Sequence, residues 1–162
     1  MSTPSYTIIG IDPGFGRTGY GVVQKIKSEY RCIEYGCITT SPTCAFPDRL
    51  HTLYTSLSAL FSSTKPTILS LEKIFFAKNT KTALDVSAAR GVILLCATQH
   101  KIAIQEFTPL QVKQGVIGYG KADKLQVQKI VQLLLKLPCL PKPDDAADAL
   151  ALALCANTTF LK

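Results

Sequence analysis

Apolar and polar positions along the chain follow two periods. Residues 6–12 (YTIIGID) are rich in β-formers, and residues 19–27 (GYGVVQKIK) and 30–39 (YRCIEYGCIT) partly alternate, which predicts three strands. Their short connections favour an antiparallel meander. From Pro47 the period lengthens, and Leu50, Leu53, Leu57, Leu60 and Phe61 keep one helical face dry until Pro66 ends it. Residues 67–71 (TILSL) read as a buried strand ending near Glu72. Residues 80–100 predict a long helix in which Gly91 is either a close-packing point or a defect costing about 1 kcal/mol. Residues 102–107 predict a fifth strand. Thr108 and Pro109 then supply an N-cap and a first-turn proline for a short helix to about Val116. Gly115, Gly118 and Gly120 predict a flexible break, and residues 122–135 a basic amphipathic helix. A stiff linker follows at Pro138, Pro141 and Pro143, and a last helix covers residues 144–160.

This order predicts an α/β chain whose five-stranded mixed sheet joins a three-strand antiparallel meander to two strands reached through helices. Right-handed crossovers lay the fourth and fifth strands parallel to the first, on the side away from the meander. Chemistry in open sheets gathers at the carboxyl ends of parallel strands, and Asp12 and Glu72 both stand there. The length of 162 residues predicts one domain over 1–162.

Composition narrows the class. With 47% apolar and 18% charged residues the chain can bury a core. Apolar runs such as residues 92–97 are too short to span a bilayer, and the first run stops at Asp12 without a basic n-region. The expectation is a cytoplasmic protein without a membrane partner. The six cysteines contain no CxxC spacing and read as reduced thiols. The net charge of +7 suits a polyanionic partner such as nucleic acid, although a solubilising surface explains it equally well.

The segment Gly14-Phe15-Gly16-Arg17-Thr18-Gly19 matches GxGxxG, but Tyr20-Gly21-Val22-Val23 continues as strand, and Asp12 would repel a pyrophosphate. The glycines are therefore expected to make a hairpin turn. An acidic residue at a strand end followed by glycines also opens actin-like ATPases, which are much longer. His51 and His100 lack a metal-ligand spacing or a nucleophile partner and are expected to be structural.

Four carboxylates are the most informative set. Asp145 and Asp148, three apart, share one face of a helix's first turn. Singly, dipole complementarity or capping explains each, and Asp144 could cap alone. Together, Asp12, Glu72, Asp145 and Asp148 could converge on one or two hard divalent cations, because Mg²⁺ takes oxygen ligands without His or Cys. Two such ions can drive phosphodiester hydrolysis. Clustered acids in a basic chain fit a metal nuclease. Phe75 and Phe76 sit beside Lys73, Lys78 and Lys81, where they could stack on bases or simply pack in the core. Lys113, Lys121 and Lys124 flank the glycine-rich break and could reach phosphates or remain solvated.

The segments IIGIDPGFGRTGYGVV, LEKIFFAKNTKTAL, AARG, QVKQGVIGYGKADKLQVQ, LLKLP and DDAADALALA resemble, in order and over nearly the whole chain, the RuvC family of bacterial Holliday-junction resolvases. The resemblance implies an RNase H-like fold and a Mg²⁺-dependent endonuclease, with two ions per site and Mn²⁺ as a substitute. It implies a homodimer that nicks opposing strands of four-way junction DNA symmetrically and works with the RuvA–RuvB branch-migration complex. Asp12 in GIDPG, Glu72 in LEKIF, and Asp145 and Asp148 in DAAD match the family's catalytic and metal-binding acids, with Asp144 outside that pattern. Phe75 matches an aromatic near the junction centre, and Lys113 and Lys124 match lysines tied to DNA binding and catalysis. The helix from about Thr80 resembles the dimer-forming helix. Rival readings are another RNase H-like nuclease, acting on RNA or ordinary duplex, and a non-catalytic junction-binding module.

Overall fold

Five strands form one mixed sheet in the order β3-β2-β1-β4-β5. A computed structural model describes residues 5–73, 80–118 and 120–156. The strands are β1 (Ser5–Asp12), β2 (Arg17–Ile26), β3 (Glu29–Thr39), β4 (Ile68–Glu72) and β5 (Ala103–Phe107). The helices are α1 (Phe46–Thr64), α2 (Thr80–Gln99), α3 (Pro109–Ile117), α4 (Lys124–Leu134) and α5 (Asp144–Cys155). The first three strands pair antiparallel, whereas β4 runs parallel to β1 and β5 parallel to β4. The predicted meander with two added parallel strands is therefore the observed sheet. Among the described residues no helix is long and apolar enough to cross a membrane.

Strand alternation assigns each side chain to one of two layers. Ile9 and Ile11 of β1, Val22 of β2, and Leu69 and Leu71 of β4 pack with Leu53, Leu57 and Phe61 of α1 and Ala89 and Ile93 of α2. Ile8, Val23 and Ile68 face the other way, toward α3, α4 and the Ala-Leu face of α5. The even positions of β1 and β4 thus belong to the α5 face, and that parity ends at Asp12 and Glu72.

Helix α5 lies close to the sheet because three glycines leave room for its backbone. A Cβ on Gly10 would stand 1.9 Å from the Ala149 carbonyl oxygen, and one on Gly19 would stand 2.1 Å from that of Asp145. Gly21 fits in the same way against Leu150. The buried Ser70 hydroxyl donates to the Leu152 carbonyl at 2.5 Å and fixes how far α5 slides along β4.

Several local expectations are corrected. Gly14 and Gly16 belong to the turn after β1, but Gly19 of the same motif is already a strand residue, lying, like Gly21, beneath α5. Gly115 lies inside α3 against Cys155, and Gly118 ends that helix at φ 90°, so the predicted glycine break begins later than expected. Helix α4 begins at Lys124, because Asp123 accepts from the Gln126 amide while the Gln126 side chain accepts from the Asp123 amide. Helix α5 stops at Cys155 rather than reaching residue 160, with Ala156 already extended. Thr108 caps α3 as predicted, in a reciprocal box with Gln111.

Candidate nuclease site

Asp12 and Glu72 end two adjacent parallel strands whose last registered pair is Ile11 with Leu71. Both follow the parity that faces α5. The first turn of α5 brings Asp145 and Asp148 to the same place, because Gly19 opposite Asp12 in the β1–β2 register carries the Asp145 backbone directly on it. Sheet and helix therefore collect the four predicted acids at one end of the molecule.

Their mutual influence appears in their acidities. Burial, then the charges of Glu72, Asp148 and Asp145, pushes the Asp12 carboxyl up to about 7, against a smaller pull from Lys124. Glu72 is raised by burial and by Asp148, with Lys124 opposing. Asp148 is also raised, because burial outweighs its hydrogen bond to Lys124. Like charges crowded in a poorly solvated place hold protons that isolated carboxylates would lose.

Cations on the rim offset part of this charge. Lys124 Nζ lies 3.1 Å from Asp148 Oδ2 and 3.3 Å from Asp144 Oδ2. Gln128, one turn along α4 and nearly buried, donates to Asp144 Oδ1 at 3.0 Å. Arg17 Nη1 lies 3.5 Å from Asp145 Oδ2. As the side chains stand, no three Asp, Glu, His or Cys groups among the described residues are arranged to ligate one ion. The acids are gathered, with Asp145 paired to Arg17 and Asp148 to Lys124.

A cavity of about 250 Å³ opens beside the acids. Glu72, Asp148, Lys113 and Lys124 line its polar side, and Val112, Val127 and Leu152 lie among its apolar walls. Both predicted lysines therefore meet two of the predicted acids. Lys113 projects from α3 and Lys124 from the first turn of α4, so the two capped helices set their positions. Phe75 and its neighbour Phe76 lie outside the described residues.

The remaining candidates resolve simply. Asp144 does not cap α5; Pro143 occupies the N-cap, and Asp144 stands in the first turn paired to α4. Hydrogen bonds from Gln128 and Lys124 hold its carboxyl below the ordinary range. His100 shares a 3.0 Å hydrogen bond with Ser58 and an edge contact with Phe61, away from the acids. Arg17 and Gln128 are the groups that sequence reasoning missed. The four-residue spacing of Lys124 and Gln128 signals a shared face of α4, and alternation from Gly19 and Gly21 signals the orientation of Arg17.

The profile of the family described as crossover junction endodeoxyribonuclease RuvC matches residues 8–156. The chain belongs to the RuvC family. A RuvC from Ruminiclostridium cellulolyticum is 52% identical over 148 residues, covering 91% of this chain and 89% of its own length. The solved structure of Thermus thermophilus RuvC superposes with a TM-score of 0.84 at 31% identity, covering 92% of each chain. The same T. thermophilus protein in complex with a Holliday junction substrate also gives 0.84, at 29% identity over 93% of this chain and 91% of that one. The sheet and helices described above are the RNase H-like fold of the RuvC family. Nucleases of this family are metal-dependent.

Proposed function

We propose that this chain is an endonuclease that resolves four-way DNA junctions by symmetric nicking of opposing strands in recombination and repair, using Mg²⁺ held by Asp12, Glu72, Asp145 and Asp148. The observation that carries the reading is the convergence of these acids, from two strand ends and one helix turn, on a partly buried spot with Asp12 pushed to about 7. The membership in the RuvC family and the likeness to a relative solved on a Holliday junction support the substrate.

The donor set is made of oxygen alone, and its charge exceeds what Arg17 and Lys124 offset, which suits a hard divalent cation. Two ions per site, with Mn²⁺ as a substitute, belong to this proposal. Bound there, such ions supply activation of water and neutralisation of charge at the scissile phosphate. The chain's own groups do the rest. The carboxylates hold the site against the sheet, and Lys113 and Lys124 at the cavity face the DNA backbone. Lys124 exchanges its pairing with Asp148 for a phosphate as DNA arrives. Phe75 takes the junction centre.

Residues 1–162 act as one nuclease domain in a cytoplasmic homodimer, and α2 supplies the contact. Ala89, Ile93, Cys96 and Ala97 of α2 face the core, while Leu84 and Leu95 point outward at 70% and 56% exposure. A two-fold dimer presents two equivalent sites to a substrate of matching symmetry. Cooperation with the RuvA–RuvB complex is part of the same reading.

The test incubates the protein with a synthetic four-way junction and a matched linear duplex, in Mg²⁺ or EDTA. Paired, symmetry-related nicks in the junction alone, and only with Mg²⁺, are expected. Equal cutting of the linear duplex would overturn the junction specificity. Normal cutting by Asp12→Asn or Glu72→Gln would overturn the site, since these variants are expected to bind junctions and leave them intact.

A further inference from the structure

We propose that Arg17 is a working part of this site: a resident counter-ion of Asp145 that yields to an incoming divalent cation and then holds a DNA phosphate, so that cation and DNA binding reinforce each other. The inference rests on the nuclease reading above and adds a residue to it.

Placement comes first. Arg17 opens β2 on the same side as Gly19 and Gly21, the two glycines that carry α5, so alternation aims its side chain at the helix's acidic first turn. The backbone beneath it is held firmly. Thr40 donates its amide to the Gly16 carbonyl at 3.0 Å, and the Thr18 hydroxyl donates to the Gly14 carbonyl at 2.6 Å. The guanidinium is therefore delivered to Asp145 by regular structure rather than by a wandering loop.

The pair itself is built to exchange. Its separation is 3.5 Å, and the side chains are 55% and 37% exposed. An ion pair so open to water is weak. Asp145 cannot give the same oxygen to Arg17 and to a divalent cation, and the higher charge density wins. Lys124 plays the matching part on the opposite side, against Asp148 and Asp144. With no cation bound, two basic side chains thus occupy Asp145 and Asp148, two of the acids that the metal needs.

Displacement leaves Arg17 charged and unpaired on the rim across from Lys124. A DNA backbone lying over the acids passes between them. A planar guanidinium suits a phosphate, which it can meet with two hydrogen bonds. Nearby Arg49 is not equivalent, because it stacks on the Phe15 ring at 3.8 Å and donates to Thr40 Oγ1 at 3.1 Å. Because the cation frees Arg17 for DNA, and DNA draws Arg17 away from Asp145, each ligand strengthens the other by the same factor.

The experiment uses the full chain with Arg17→Gln, Arg17→Lys and Asp145→Asn. Binding of Mn²⁺ alone, without DNA, is followed by electron paramagnetic resonance. Arg17→Gln is expected to bind Mn²⁺ more tightly, by a few-fold, because Asp145 no longer has a competitor. Junction binding is then measured by fluorescence anisotropy over a range of KCl, with Ca²⁺ or EDTA. In Ca²⁺, Arg17→Gln should lower the slope of log affinity against log salt by about one, as expected for one lost phosphate contact, and Arg17→Lys should restore it. Unchanged or weaker Mn²⁺ binding by Arg17→Gln, or an unchanged slope, overturns the proposal. Asp145→Asn separates the two levels. If it weakens Mn²⁺ binding while Arg17→Gln changes nothing, only the role of Arg17 falls. If Mn²⁺ binding is indifferent to Asp145→Asn as well, the metal-site reading falls with it.

Discussion

Asp12 follows Ile8, Ile9 and Ile11, all fully buried, so its carboxyl meets little water before it meets three other acids. Its acidity of about 7 in the folded chain, against 3.8 ordinarily, has a calculable consequence for stability. Between these values the folded chain keeps a proton that the unfolded chain has lost. Stability therefore falls as pH rises across this window, and the loss is complete above about pH 7. With EDTA present, urea unfolding should show a stability lower at pH 7.5 than at pH 4.5, with Asp12 contributing on the order of 3 kcal/mol. Glu72 and Asp148, also raised, act in the same direction. Asp12→Asn should flatten most of this slope and stabilise the metal-free protein at neutral pH. A slope unchanged by that substitution would show that Asp12 is not the proton-holding group. A divalent cation held by Asp12, as proposed, would have to displace the same proton, so its binding should tighten as pH rises toward 7.

At the level of elements, the site depends on how closely α5 approaches the sheet. Gly10→Ala would drive a methyl into the Ala149 carbonyl and the Ala153 amide, 1.9 and 2.6 Å away, and both are backbone that cannot rotate aside. The expected cost is more than about 2 kcal/mol, because α5 must lift and its leucines lose their packing. Thermal unfolding of the variant checks this, and a midpoint within a degree of wild type would show that α5 has slack. Asp12 and Glu72 were legible because strand alternation and parallel pairing are local rules that place a strand's last residue. Asp145 and Asp148 were legible as an i, i+3 pair. The purpose of Gly19 and Gly21 was not, since the reason for a glycine in a strand shows only once the helix packed on it is known. The Lys124 and Arg17 pairings were hidden for a related reason. The Arg17 pairing depends on the docking of α5 on a strand 128 residues away, and the Lys124 pairings on the packing of α4 against α5, tertiary outcomes that no local period records. The capping box at Asp123 and Gln126 was a local signal that moved the start of α4 and was readable in principle.

At the scale of the whole molecule, α2 has apolar side chains on more sides than one protomer can use. Ala89, Ile93, Cys96 and Ala97 are fully buried against the sheet, whereas Leu84, Gly91 and Leu95 follow one outward stripe. Among the described residues, nothing outside the helix's own neighbouring backbone lies within 4 Å of where a Gly91 side chain would begin. A helix that leaves two leucines in water beside an open glycine gains by meeting a second copy, since burial of apolar surface drives association and the missing side chain lets helices come close. Leu95→Glu tests this cleanly, because Leu95 lies outside the buried core and a charge there need not disturb folding. Sedimentation velocity should find the wild type dimeric and Leu95→Glu monomeric at the same micromolar concentration, with thermal midpoints within a few degrees. Each monomer would keep its acids and lysines but lose the fixed spacing to a second site. Junction cutting should then change from paired nicks to single, uncoordinated ones. A Leu95→Glu protein that remains dimeric and cuts in pairs would place the interface on another face of the molecule.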